Sequence, residues 1–221
     1  MNKTLTTIFA LAVAMGTAFV QAEEVKGDVK AAEGKIAMCV GCHGIMEYKT
    51  AFPEVYRVPK IAGQNEAYIA AALHEYAKGT RRHPSMRGVS MSLSDQDIAD
   101  LAAYYAQLGV SADSAAPAKP SKEPGTVVAG LLNKGACVSC HGDNFAKPID
   151  PTYPNLAGQH RDYLFVALKA YKNGTNQYVR RDNAIMAGMA AQFTNNELRE
   201  IANYIGSLDG GLKTVPEPRF R

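Results

Sequence analysis

Several things are scarce in this 221-residue chain, and each absence narrows what it can do. Beyond Ala22 there is no apolar run long enough to span a bilayer, which argues against a membrane-crossing helix in that part of the chain. Charge of one sign is scarce too: residues 23–111 carry 10 Lys and Arg against 11 Asp and Glu, and residues 112–221 carry 13 against 10. That balance is too mild for a nucleic-acid binder, but it can orient docking to a protein partner. No segment shows convincing strand alternation or a hairpin turn, so a sheet-based fold is disfavoured. Cysteine is limited to four residues, and where those four stand is the most telling feature of the chain.

All four fall in two Cys-x-x-Cys-His runs, Cys39-Val40-Gly41-Cys42-His43 and Cys137-Val138-Ser139-Cys140-His141. Cysteines three apart on a helical turn face the same way, and each can form a thioether to a haem vinyl group, with the following histidine beneath the iron. The pattern therefore predicts two covalently bound c-type haems, with Cys39, Cys42, Cys137 and Cys140 as attachment points and His43 and His141 as proximal ligands. A four-thiolate zinc site is the competing reading, but 94 residues separate Cys42 from Cys137, and zinc does not need a histidine after each pair. A thioredoxin-like pair needs a βαβ context, whereas both flanks read as helix. Disulfides leave the two histidines unexplained.

The first residues read as an export signal: Lys3, an apolar stretch from Leu5 to Val20, and a small-residue cleavage site at Val20-Gln21-Ala22. The expected mature chain begins near Glu23, and its expected location is the bacterial periplasm, where covalent haem attachment takes place. What remains suits two small domains. A domain of that size buries a limited core unaided, and a large apolar disc bonded to the chain would supplement it.

Sliding the sequence on itself gives the organisation. Pro59-Lys60-Ile61-Ala62-Gly63-Gln64 matches Pro154-Asn155-Leu156-Ala157-Gly158-Gln159, and Tyr68, Ile69, Ala72, Leu73 and Tyr76 match Tyr163, Leu164, Ala167, Leu168 and Tyr171 at helical spacing. Gly79-Thr80 and Gly174-Thr175 end these helices alike. Ser94-Asp95-Gln96-Asp97 and Thr194-Asn195-Asn196-Glu197 read as capping-box starts, the second being the better example, for a final helix in each half. Ala112 to Pro124, rich in Ala, Pro, Ser and Lys, reads as a linker. The expected architecture is all-α, two tandem haem-binding domains: a signal at 1–22, a first domain at 23–111, a linker at 112–124, a second domain at 125–212 and a tail at 213–221. Each half runs helix, haem motif, loop, helix, methionine-bearing loop, helix.

The occupant of the sixth iron position decides between electron transfer and chemistry on a small ligand. Of Met38, Met46, Met86, Met91, Met186 and Met189, only Met86 and Met186 land on each other, so these two are the expected axial ligands. Met91 and Met189 fall opposite Ala191 and Val89, which suits core packing. His74 and His160 do not repeat, and His83 is the rival ligand in the first half. Arg81-Arg82 and Arg180-Arg181 could pair with propionates or a partner's acidic rim, or lie in an ordinary solvated loop.

On both haem motifs, both Pro-x-[Ile/Leu]-Ala-Gly-Gln segments, and the Met86 and Met186 stretches followed by Leu93-Ser94-Asp95-Gln96-Asp97-Ile98 and its weaker copy, the chain resembles the dihaem cytochrome c4 family over residues 30–209, which implies an all-α fold of two tandem class I cytochrome c domains joined by a short linker. The resemblance implies a soluble or loosely membrane-associated periplasmic electron carrier rather than an enzyme. It would receive electrons from a quinol-oxidising complex or dehydrogenase and deliver them toward a terminal oxidase. It also favours Pro59 and Pro154 as carbonyl acceptors for the proximal histidines over simple helix-entry prolines, and it implies haems paired head to head across the domain interface. A haem subunit of a periplasmic dehydrogenase oxidising sulfide, thiosulfate or an alcohol would use the same chemistry. A dihaem peroxidase would need a displaceable ligand where both halves supply methionine. The Gly44–Val58 loop is longer by three than Gly142–Tyr153 and, near a haem edge, bears on the choice of partner.

Overall fold

The computed structural model describes residues 25–111, 117–172 and 176–218. The export signal with its Ala22 cleavage site, linker residues 112–116, the helix end at Gly174-Thr175 and residues 219–221 lie outside the described residues.

Two helical halves follow one another, as the repeat predicts. The first contains α1 (Val29–Ala32), α2 (Ala37–His43), α3 (Glu66–Lys78), α4 (Pro84–Ser90) and α5 (Asp95–Gln107). The second contains α6 (Thr126–Lys134), α7 (Cys137–His141), α8 (Arg161–Lys172), α9 (Ala184–Ala191) and α10 (Asn195–Ile205). Both capping boxes form. Ser94 Oγ accepts from the Asp97 amide while Asp97 accepts from the Ser94 amide, and Thr194 and Glu197 exchange bonds in the same way. The apolar positions matched by the repeat become the two cores: Ile98, Leu101, Ala102 and Tyr105 in one half, and Leu198, Ile201, Ala202, Ile205 and Leu208 in the other, all buried. Burying each of the larger aliphatic side chains is worth about 1.5–3 kcal/mol. Helix α3 ends on Gly79 at φ +82°, a left-handed conformation that a side chain resists, and the Gly79 amide bonds back to the Glu75 carbonyl at 2.9 Å.

One anchor is not repeated. Asp100, 1% exposed on α5, accepts from Lys35 Nζ (2.8 Å), the Asp28 amide (2.8 Å) and Gln96 Nε2 (2.7 Å), tying the N-terminal segment to the core. Glu200, its counterpart in the repeat, is exposed.

Three expectations need correction. Met86 and Met186 stand on short helices, α4 and α9, and not on loops. The His83 ring accepts from the Met86 amide at 3.4 Å and the Asn183 side chain from the Met186 amide at 3.0 Å, so matching residues cap the matching helices. Met91 and Met189 do not pack in the core. Met91 caps the end of α4 at 61% exposure, and Met189 is 36% exposed on the short α9. Finally, among the described residues there are four two-residue strands: β1 (Lys49–Thr50), β2 (Tyr56–Arg57), β3 (Arg81–Arg82) and β4 (Arg180–Arg181). Strands β1 and β2 pair antiparallel inside the long Gly44–Val58 loop, and β3 pairs with β4 across the two halves. A two-residue strand has no alternation to read.

The halves meet through a near-twofold clasp built from the repeated Ala-Gly-Gln segments. Gln64 Oε1 accepts from the Asn155 amide (2.8 Å) while Gln64 Nε2 donates to the Asn155 carbonyl (3.0 Å). Gln159 returns the arrangement on Lys60, accepting from its amide at 3.0 Å and donating to its carbonyl at 2.9 Å. The long first loop adds a one-sided clamp on the second half. Arg57 Nε and the Arg57 amide both bond Asp162, Lys169 Nζ meets Glu54 at 2.7 Å, and the Phe52 and Tyr178 rings stand edge to face at 5.3 Å. From the far end of the chain, the Lys213 amide reaches the Ala62 carbonyl (3.0 Å) and Lys213 Nζ the Gly109 carbonyl (2.8 Å).

Candidate haem sites

Each Cys-x-x-Cys-His run lies within one helix, α2 or α7, so the two cysteines of a pair sit a turn apart with the histidine closing the helix. None of the four cysteines forms a disulfide. Burial pushes the Cys39 thiol up to about 11 and raises that of Cys137. Among the described residues no three His, Cys, Asp or Glu converge as a metal cluster, so the four-thiolate reading falls.

A proline carbonyl stands behind each motif histidine, bonded in the first half only. His43 Nδ1 lies 2.8 Å from the Pro59 carbonyl, an arrangement that leaves Nε2 free of its proton and able to bind a metal. Burial lowers the proton affinity of His43, with the Pro59 carbonyl opposing it, so the ring is neutral at pH 7. His141 is half-buried, desolvation lowers its proton affinity, and the Pro154 carbonyl acts on it in the same sense as Pro59 on His43. In the second half, however, the approach falls short of hydrogen-bond geometry, and His141 Nδ1 is a buried atom without a partner. The two sites therefore differ in how firmly the proximal ring is held.

Met86 and Met186 are half-buried, each on a short helix packed against the long helix of its own half, α4 on α3 and α9 on α8. The residue after each of these stretches, Leu93 or Phe193, packs in the same cluster as Cys39 or Cys137 and so brings haem motif and methionine segment together in both halves. His83 caps its helix and faces the inter-half cleft beside Tyr56 and Arg181. Around the motifs, large apolar side chains are left in the open: Met38, Ile45, Met46 and Met91 in the first half, and Val138, Ile185 and Met189 in the second. Two neutral imidazoles, one of them oriented by a hydrogen bond, two cysteine pairs and uncovered apolar side chains fit a large flat apolar group bonded at each motif.

The Cytochrome c family model matches residues 31–109 and again 129–209. A relative from Pseudomonas aeruginosa named cytochrome c4 is 33% identical, over 82% of this chain and 89% of its own length. The chain belongs to the cytochrome c4 family. The fold agrees: the crystal structure of reduced cytochrome c4 from Pseudomonas stutzeri superimposes with a TM-score of 0.58 at 28% identity, covering 82% of this chain and 99% of that one. A Thiomonas intermedia protein named thiosulfate dehydrogenase electron acceptor is also similar, at 29% identity over 80% of this chain and 81% of its own. Membership brings two covalently bound c-type haems, one per tandem domain, and the role of a dihaem electron carrier. Among the described residues no helix is long and apolar enough to cross a membrane.

Sequence reasoning passed over the glutamines of the clasp. Gln64 and Gln159 occur in matching places, and both are 4% exposed. A polar residue repeated at the same offset beside a glycine was the available signal.

Proposed function

We propose that this cytochrome carries electrons through the periplasm with both haems acting as one unit, taking them from a quinol-oxidising complex or dehydrogenase and passing them toward a terminal oxidase. Cys39 and Cys42 hold one haem and Cys137 and Cys140 the other. His43 with Met86, and His141 with Met186, would ligate the irons. A haem held there would supply a one-electron couple, and ligation by a thioether together with an imidazole would favour the ferrous state and a high potential. Pro59 orients the His43 ring and Pro154 stands behind the His141 ring as its weaker counterpart, while the capped helices α4 and α9 present the methionines.

The observation that carries the single-unit reading is the reciprocal Gln64 and Gln159 clasp, which fixes one half on the other through paired backbone bonds. A second role, electron acceptor for a thiosulfate-oxidising dehydrogenase, is favoured by the similarity to the Thiomonas intermedia protein. The test is kinetic. After fast reduction of one haem, equilibration with the other should proceed at a rate independent of protein concentration. A rate that falls in proportion to dilution means electrons pass between molecules, and the single-unit reading fails.

A further inference from the structure

The final helices of the two halves differ at one buried position. Tyr105 on α5 stands where the repeat places Ile205 on α10, and both are buried, Tyr105 at 4% exposure. The first half therefore carries a hydroxyl in its core that the second half lacks. That hydroxyl is buried and meets no partner in hydrogen-bond geometry. A phenol O–H taken out of water is costly to leave unbonded, so the position calls for an acceptor.

The group beside it is a sulfur. Cys39 packs against the apolar cluster that contains Tyr105. Burial raises the Tyr105 phenol and the Cys39 sulfur raises it further, with Tyr104 and Glu217 acting on it less. In return the hydroxyl works against burial on the Cys39 thiol. A thiol and a phenol can each donate to the other. Adding the Cys39 S–H across a haem vinyl double bond moves that hydrogen to carbon and leaves a thioether sulfur, which only accepts. Haem attachment thus fixes the roles.

The backbone around Tyr105 is braced from the second half. The Tyr105 carbonyl accepts from the Gly63 amide at 2.9 Å. Over Gly63 runs the tail of the chain, with Leu212 4% exposed and the Lys213 amide bonded to the Ala62 carbonyl at 3.0 Å. A Cβ at Gly63 would stand 2.7 Å from the Gly211 carbonyl, so a side chain there would push the tail away.

We propose that the Tyr105 hydroxyl donates to the sulfur through which Cys39 holds the first haem, and so raises the potential of that haem alone. The proposal rests on the haem assignment above and deepens it. The positive end of the O–H dipole faces an atom bonded to the macrocycle, which favours the added electron of the ferrous state. Ile205 offers no such dipole to the second haem.

The test is a redox titration of haem-loaded Tyr105→Phe, with haem content read by intact mass. Each haem is followed through the proton resonance of its axial methionine methyl group, the two assigned with Met86→Ala and Met186→Ala. Phenylalanine keeps the ring and removes only the hydroxyl. The reduction equilibrium of the first haem should move about threefold toward the ferric state, ~28 mV at 59 mV per tenfold for one electron, while the second moves by less than about 1.5-fold. Tyr105→Leu, close in size to the residue of the second half, should move the first haem in the same direction. A change below about 1.5-fold in Tyr105→Phe, or an equal change in both haems, overturns the proposal. A shift in Tyr105→Leu with none in Tyr105→Phe assigns the effect to packing of the ring and overturns it too. Wild-type protein with fewer than two haems by mass would fail the haem assignment itself, and the proposal with it.

Discussion

Replacing Gln64 with alanine removes three hydrogen bonds at once. Its Oε1 accepts from the Asn155 amide (2.8 Å) and the Asn65 amide (2.9 Å), and its Nε2 donates to the Asn155 carbonyl (3.0 Å). The side chain is 4% exposed, so water reaches the abandoned groups poorly. At about 1 kcal/mol net per bond, with partial rescue by water, the change should cost about 2–3 kcal/mol. Gln159→Ala should cost the same, because Gln159 makes the mirrored set on Lys60 and the His160 amide. Since two of the three lost bonds join the two domains, the cost should appear in urea unfolding as a separation of one transition into two. Gln64→Glu sharpens the test. It keeps an acceptor but turns a carboxylate oxygen toward the Asn155 carbonyl, so its defect should be larger at pH 7.5 than at about pH 4.5, where a protonated acid can donate again. A Gln64→Ala protein within about 0.5 kcal/mol of wild type that unfolds in one step, together with a pH-indifferent Gln64→Glu, would show that the clasp does not hold the halves.

Acid stability should depend on Asp100. Burial favours its neutral form, but Lys35, the Asp28 amide and Gln96 outweigh burial and hold the carboxyl below the ordinary range. Its contribution is therefore full above the unfolded value of about 3.9 and is lost as pH falls through the lower folded value, so Asp100→Asn should be less stable at pH 7 and the gap should close in acid. His83→Asn should leave α4 intact, because asparagine already caps the matching helix at position 183, while His83→Ala should cost about 1 kcal/mol in thermal unfolding.

Local chemistry was legible in the sequence, and long-range pairing was not. The haem motifs, the capping boxes and the apolar faces of α5 and α10 depend on residues within a turn or two of each other, and they appear where periodicity put them. Strands β3 and β4 are two residues each and exist only because one half lies against the other. The extra length of the first loop was visible, but its direction was not: Arg57 and Glu54 turn it onto α8 rather than outward. Arg81 looked as much like part of a solvated loop as a buried residue, because an arginine's burial is decided by what folds over it, here the Tyr76 ring and Tyr163 of the other half. Met91 and Met189 were misplaced for a related reason. Both sit at the open edge of helices only 7 and 8 residues long, where apolar character does not ensure a neighbour to cover it.

The most direct test of the central claim, one methionine-ligated haem in each half, is the near-infrared spectrum of the oxidised protein. The account predicts a methionine-to-ferric-iron charge-transfer band with contributions from both centres, part of it lost in Met86→Ala, part in Met186→Ala, and all of it in the double variant, with two haems still bound. A band unchanged by either substitution, or absent from the wild type, would contradict it.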